Sequence, residues 1–191
     1  MMRTYLKILP VLFVCTMAGA PASAQGGSQA APLYMPGIRY DLPAVLIPAA
    51  DVERTKKEML AKKATDIPIR TVDCGGGEGG HHVGVSLVLR EKGQGTAGVA
   101  HDQVSEVYHV LEGGGTMILG GKLVEPERRP ESGGNGPGIR GKGIEGGVRT
   151  HITKGDVLII PAGTPHRFES ADEFTLYTVV RVDPQKAAPL K

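Results

Sequence analysis

Two stretches decide how this chain reads: GQGTAGVAHDQVSEVYHVLEGGG at residues 93–115 and GDVLIIPAGTPHRFES at residues 155–170. In the first, His101 and Glu106 stand five apart, and Glu106 opens the β-branched, apolar run Val107–Leu111. Glu112-Gly113-Gly114-Gly115 after it is a turn signal. A ligand ending one strand and another opening the next can converge across the tight loop that residues 102–105 supply. In the second stretch Gly155-Asp156 is a turn and Val157–Ile160 a strand. Residues 161–165 form another turn that delivers His166. Two imidazoles and a carboxylate suit a divalent transition metal and leave coordination positions open, the mark of a working site.

These residues resemble the two cupin motifs, G-x5-H-x-H-x3,4-E-x6-G and G-x5-P-x-G-x2-H-x3-N. Gly93, His101, Glu106 and Gly113 fall in step with the first, and Gly155, Pro161, Gly163 and His166 with the second. Val99 stands where the first motif has another His, and Ser170 where the second has Asn. The resemblance covers residues 67–183. It implies an all-β fold, a double-stranded β-helix (jelly-roll barrel) with metal bound inside. Val99 cannot ligate, so the ligand set shrinks to His101, Glu106 and His166, enough for Fe(II), Mn, Ni or Zn. The plainer alternative is that both His are polar barrel residues satisfied by Glu106.

The chain begins with Arg3 and Lys7, an apolar stretch from Ile8 to Ala18, and Ala22-Ser23-Ala24. That pattern reads as a signal peptide (residues 1–24) cleaved after Ala24, hence a periplasmic or secreted protein. The apolar stretch is short for a bilayer and broken by Pro10, so no membrane partner is expected after cleavage. Cleavage removes Arg3 and Lys7 from the 22 bases, leaving 20 against 20 acids. Unclustered charge and few aromatics argue against nucleic acid. Cys74 is then the lone cysteine, which excludes an internal disulfide; a half-buried inert thiol is the default reading.

Residues 25–66 read as a loose arm and a helix, Val52 to Lys63, capped by Asp51. Residues 67–183 are the barrel and 184–191 a tail. Ile67–Val72 is edge-like because of Pro68. Val83–Leu89, Phe174–Val180 and Thr116–Leu119 are further strands, the last pairing naturally with the strand before Gly113. Residues 120–147 read as a long loop, either a cover for the barrel mouth or a mobile excursion.

Period-two alternation from Glu106 turns Tyr108 inward and His109 outward. Tyr108 is the candidate catalytic residue, positioning substrate or donating a proton, and Phe168 a candidate pocket wall; barrel filler is an equal account of both. His82 precedes a strand that lines the pocket in this architecture and is a candidate substrate contact; an ordinary exposed pair with His81 is the plainer reading. Glu112 reads as a solvated turn residue, and the direction of His151 is left open. Two function classes follow. One is a metal-dependent small-molecule enzyme of oxygenase, isomerase or lyase type, with dioxygenase chemistry at Fe(II) the leading guess. The other is a non-catalytic periplasmic barrel that binds or senses a small molecule. By resemblance, a homodimer is expected.

Overall fold

The computed structural model describes residue 33 and residues 39–75, 80–129 and 135–187. The expected signal segment, its cleavage after Ala24 and most of the arm lie outside the described residues, as does the end of the tail.

Alternation in the strand sequences serves two apolar layers at once. In β2 (His81–Glu91), Val88 faces the barrel interior while Leu87 and Leu89 face the other way. In β11 (His166–Asp183), Tyr177 and Val179 point inward and Leu176 outward. The same division separates Tyr108 and Val110 from Leu111 in β4 (Ser105–Leu119). Helix α1 (Ala49–Lys62) covers the outward layer, with Met59 buried against Leu87 and Leu176. Truncating Met59 there would cost about 2–5 kcal/mol through lost burial and a cavity.

β4 and β11 form the spine, paired antiparallel from Ser105 opposite Val182 to Leu119 opposite His166. On the far side of β4 lie β10 (Val157–Ile160) and β9 (Val148–Thr153). On the far side of β11 lie β2 and then the edge strand β1 (Asp66–Cys74), whose register slips between Pro68 and Arg70. At its other end, β11 meets β3 (Gly98–His101) through His166 opposite Val99. The sheet continues from β3 to β7 (Gly138–Gly141) and β6 (Glu127–Arg129). A small ribbon joins β5 (Lys122–Val124) to β8 (Gly143–Glu145). The architecture is the expected double-stranded β-helix, with one short helix among the described residues.

Three local expectations are corrected. Glu112–Gly115 is not a turn: β4 runs through it, and Glu112 ion-pairs with Lys56 of the helix at 2.5 Å. Thr116–Leu119 consequently pairs with β11 and β9, not with residues 107–110. The glycines are there because β4 passes very close to its neighbours; a Cβ on Gly113, at φ +73°, would sit 1.9 Å from the Phe174 carbonyl oxygen. Residues 120–147 are not a bare loop either, since β5 to β8 fall within them. Finally, the helix begins at Ala49 behind Pro48, so Asp51 lies in its first turn and pairs with Arg54 at 2.6 Å rather than capping it. Pro48 already holds the extended backbone that a cap position requires, so no side-chain cap is needed to start the turn.

Candidate metal centre

His101 ends β3, Glu106 opens β4 and His166 opens β11, so three strand ends deliver the three side chains. The turn before His166 is tied to the first motif by its backbone. The Gly163 N–H donates to the His101 carbonyl at 2.7 Å, from a left-handed conformation (φ +78°) that suits glycine. The Ala162 N–H donates to Ser105 Oγ at 3.1 Å. The spacing of the second motif therefore works by docking one strand entry onto the other.

The side chains converge. Glu106 Oε2 lies 3.7 Å from His101 Nε2 and 3.3 Å from His166 Nε2. One donor atom from each of the three residues falls within 4.8 Å of the others, and all three residues are buried. Metal bonds of about 2.0–2.2 Å to imidazole nitrogen and carboxylate oxygen fit a triangle of that size. The His166 Nδ1–H donates to the Thr164 carbonyl at 3.0 Å, which leaves Nε2 as the lone-pair nitrogen on the Glu106 side. His101 Nδ1 is buried and has no hydrogen-bond partner among the described residues. Burial pushes the His101 imidazole down to about 4, against the opposing pull of Glu106, so it is neutral at physiological pH. A neutral imidazole is the form a metal needs.

Glu106 is held from several sides. Tyr108 donates its hydroxyl to Oε2 at 3.0 Å, and Arg181 Nε donates to Oε1 at 2.9 Å. Arg181 stands directly across the strand pair from Glu106, and its other nitrogens reach Ser86 Oγ at 2.7 Å and Asp66 Oδ2 at 2.8 Å. Burial alone would raise the Glu106 carboxyl; the neighbouring His166 imidazole and the Arg181 guanidinium charge outweigh it and hold the group well below the usual carboxylate range. Burial and the Glu106 charge push the Tyr108 phenol well above its ordinary value, so Tyr108 keeps its proton.

These groups line a cavity of about 490 Å³. Tyr108 and Phe168 are in its wall, with Tyr177 between them at ring-centroid distances of 4.7 and 5.4 Å. Val99 lines the same cavity, in register with His166, so an aliphatic side chain faces the place where the motif has a ligand. His82 does not belong to this wall: it is buried toward the far end of β2, in register with Asp73 and Asp183. It shares the parity of Val88, which lines the cavity, but lies six residues from it along β2. His109 is exposed as expected, and His151 faces Asp172 at 3.0 Å. Cys74 is half-buried, its Sγ 3.9 Å from the Val72 carbonyl.

Sequence reasoning missed Arg181. Its signal was there: one cation inside the apolar run Thr178-Val179-Val180-Arg181-Val182. Its pairing with Glu106 needed the strand register.

No family model and no curated protein matches the chain. Solved structures do. A DMSP lyase from Ruegeria pomeroyi is 16% identical over 65% of this chain and 49% of its own, with TM-score 0.42. The chain thus spans about half the length of that lyase. A protein from Bacillus halodurans is 16% identical over 75% and 84%, with TM-score 0.45. A cupin protein from Bacteroides fragilis is 16% identical over 57% and 71%, with TM-score 0.36. With both motifs seated on it, and His101, Glu106 and His166 brought together inside it, the chain has the double-stranded β-helix fold.

Proposed function

We propose that the protein is an exported, metal-dependent cupin enzyme acting on a small molecule, with His101, Glu106 and His166 as the metal ligands. The observation that carries this reading is the buried triangle of two imidazole nitrogens and one carboxylate oxygen beside a molecule-sized cavity. A divalent transition metal (Fe(II), Mn, Ni or Zn) would supply a Lewis acid able to polarise a substrate oxygen, and Fe(II) would add redox chemistry of the oxygenase type. The Thr164 carbonyl orients His166, and Arg181 keeps Glu106 ionised. Tyr108 retains its proton at the cavity wall, where it is shared with Glu106 Oε2; it would position a substrate oxygen, or donate to it on turning from Glu106. Phe168 and Tyr177 exclude water from the floor. Export after cleavage at Ala24 and a homodimer are part of the same proposal.

Metal analysis of untagged protein tests it. The expected result is close to one metal per chain, falling about tenfold or more in His101→Ala and His166→Ala while the circular dichroism is kept. Unchanged metal content in both variants overturns it.

A second reading, a barrel that binds a small molecule without turning it over, is favoured by two observations. Arg181 already neutralises Glu106, and Val99 removes a ligand position. Metal-free protein that still binds a ligand in this cavity would select it.

A further inference from the structure

The cavity wall is unusual in its charge. Five arginines line it (Arg90, Arg129, Arg140, Arg167 and Arg181) against two carboxylates, Asp66 and Glu106. Both carboxylates are bound to Arg181, at 2.8 and 2.9 Å. That leaves four guanidinium groups, and among the described residues none of them is ion-paired to a carboxylate within 4.0 Å. They come from four separate strands: Arg90 from β2, Arg129 from β6, Arg140 from β7 and Arg167 from β11. The chain as a whole is close to neutral, with 22 bases and 20 acids, so this concentration is local and not a by-product of composition.

Two of the four hold donors that nothing satisfies. The Nε atoms of Arg90 and Arg167 are buried without a hydrogen-bond partner among the described residues. A buried N–H left unpaired costs about 1–3 kcal/mol, more when it is charged, so such donors mark a place where an acceptor arrives. The Arg90 guanidinium also lies over the Phe168 ring, 5.9 Å from its centroid, which holds it at the cavity wall. Arg140 stands opposite Val99 in the β3–β7 pair and is exposed, which places it at the open side of the cavity beside the metal triangle. Like-charged groups crowded around a low-dielectric cavity repel one another, and an anion between them relieves that repulsion.

We propose that the ligand of this cavity is a small organic oxyanion carrying at least two negative charges, gripped by Arg90, Arg129 and Arg140; Arg167 stands on the other face of β11, between the inward His166 and Phe168, and reaches only the cavity's edge. This deepens the small-molecule reading of the same cavity and rests on it. The planar fork of arginine matches carboxylate and phosphate oxygens two at a time, and three forks are more than a singly charged group needs. The apolar floor of Val88, Met117, Phe168 and Val179 takes the carbon skeleton. Both carboxylate and phosphate-ester chemistry satisfy the forks, and the experiment separates them.

Calorimetric titration of metal-loaded and chelator-treated protein tests the assignment, with metal content measured on the same samples. The probes are succinate, tricarballylate and glucose 6-phosphate, with succinamide and glucose as neutral counterparts. The expected result is saturable binding of at least one of the three anions and of neither neutral compound. Affinity should fall about tenfold in Arg129→Gln and again in Arg140→Gln, the loss expected for a charge-assisted hydrogen bond. Arg140→Lys should restore part of it, because the charge returns without the fork. Circular dichroism of each variant shows whether the fold is kept. Carboxylates alone binding, or the phosphate ester alone, names the headgroup. Neutral compounds binding as well as the anions, no anion binding at millimolar concentration, or affinity unchanged in both Gln variants overturns the assignment. A metal content near one per chain alongside that outcome leaves the metal reading standing. Arginine-dependent anion binding by a protein that holds no metal keeps this assignment and removes the metal one.

Discussion

Arg181 sits with 13% of its side chain exposed and Glu106 with 2%, bonded at 2.9 Å. Two charges taken so far from water stay ionised because each satisfies the other, and Asp66, Ser86 and Tyr108 complete their hydrogen bonds. Breaking such a pair from one side leaves an uncompensated charge. Arg181→Met should therefore destabilise metal-free protein by about 3–5 kcal/mol in urea unfolding. Arg181→Met with Glu106→Gln should recover much of that, and a double variant no more stable than the single one would refute the pairing account. His101 supplies a separate pH signature. Its folded value of about 4 lies below the ordinary 6.5, so the unfolded chain takes up that proton first as pH falls. In chelator-treated protein this contribution is intact above about pH 6.5 and is lost as pH falls toward 4, on the order of 3 kcal/mol in all. Glu106, held low, begins its own loss only as the unfolded carboxyl protonates near 4.5 and continues below it, so the upper part of the His101 window stands clear of it. His101→Gln should flatten the upper window in unfolding measured at several pH values; a slope unchanged there would show that another group titrates.

At the scale of elements, the two long strands are bent, not straight. The β4–β11 register shifts between Phe168 and Ser170, between Ala171 and Thr175, and between Leu176 and Tyr177. Bulges of this kind turn a strand from one layer of a barrel into the next. They also switch parity: His166 and Phe168 face the cavity at even numbers, Tyr177, Val179 and Arg181 at odd ones. A strict period of two carried along β11 from either end misplaces the other end. Gly113 is the hinge of β4, where the Thr175 hydroxyl caps the neighbouring Gly114 carbonyl at 2.6 Å. Gly113→Ala places a Cβ 1.9 Å from a backbone oxygen and at a positive φ, so main chain must move. The expected cost is about 2–3 kcal/mol or more in urea unfolding. A variant as stable as the parent would mean that β4 relaxes freely at this point.

For the whole molecule, the outer strands β9 and β10 pair, among the described residues, only with β4 and carry exposed Val148, Val157 and Ile159. The proposed homodimer would cover that edge, since exposed apolar strand edges invite pairing. Light scattering should give twice the mass of one chain, returning to a single mass in Val157→Lys with Ile159→Lys; a single mass for the parent chain refutes it. Among the described residues no helix is long and apolar enough to cross a membrane. The all-β class, both turns of the second motif and the three side chains that converge were legible in the sequence alone. Each rests on local facts: alternation, glycine and proline at turns, and spacing that a short loop can close. Arg181 opposite Glu106, the displacement of His82 from the cavity, the four strands within residues 120–147 and the arginine lining were decided only by the tertiary structure. They depend on which strands lie side by side and in what register, and no window of the chain contains both partners of such a pair.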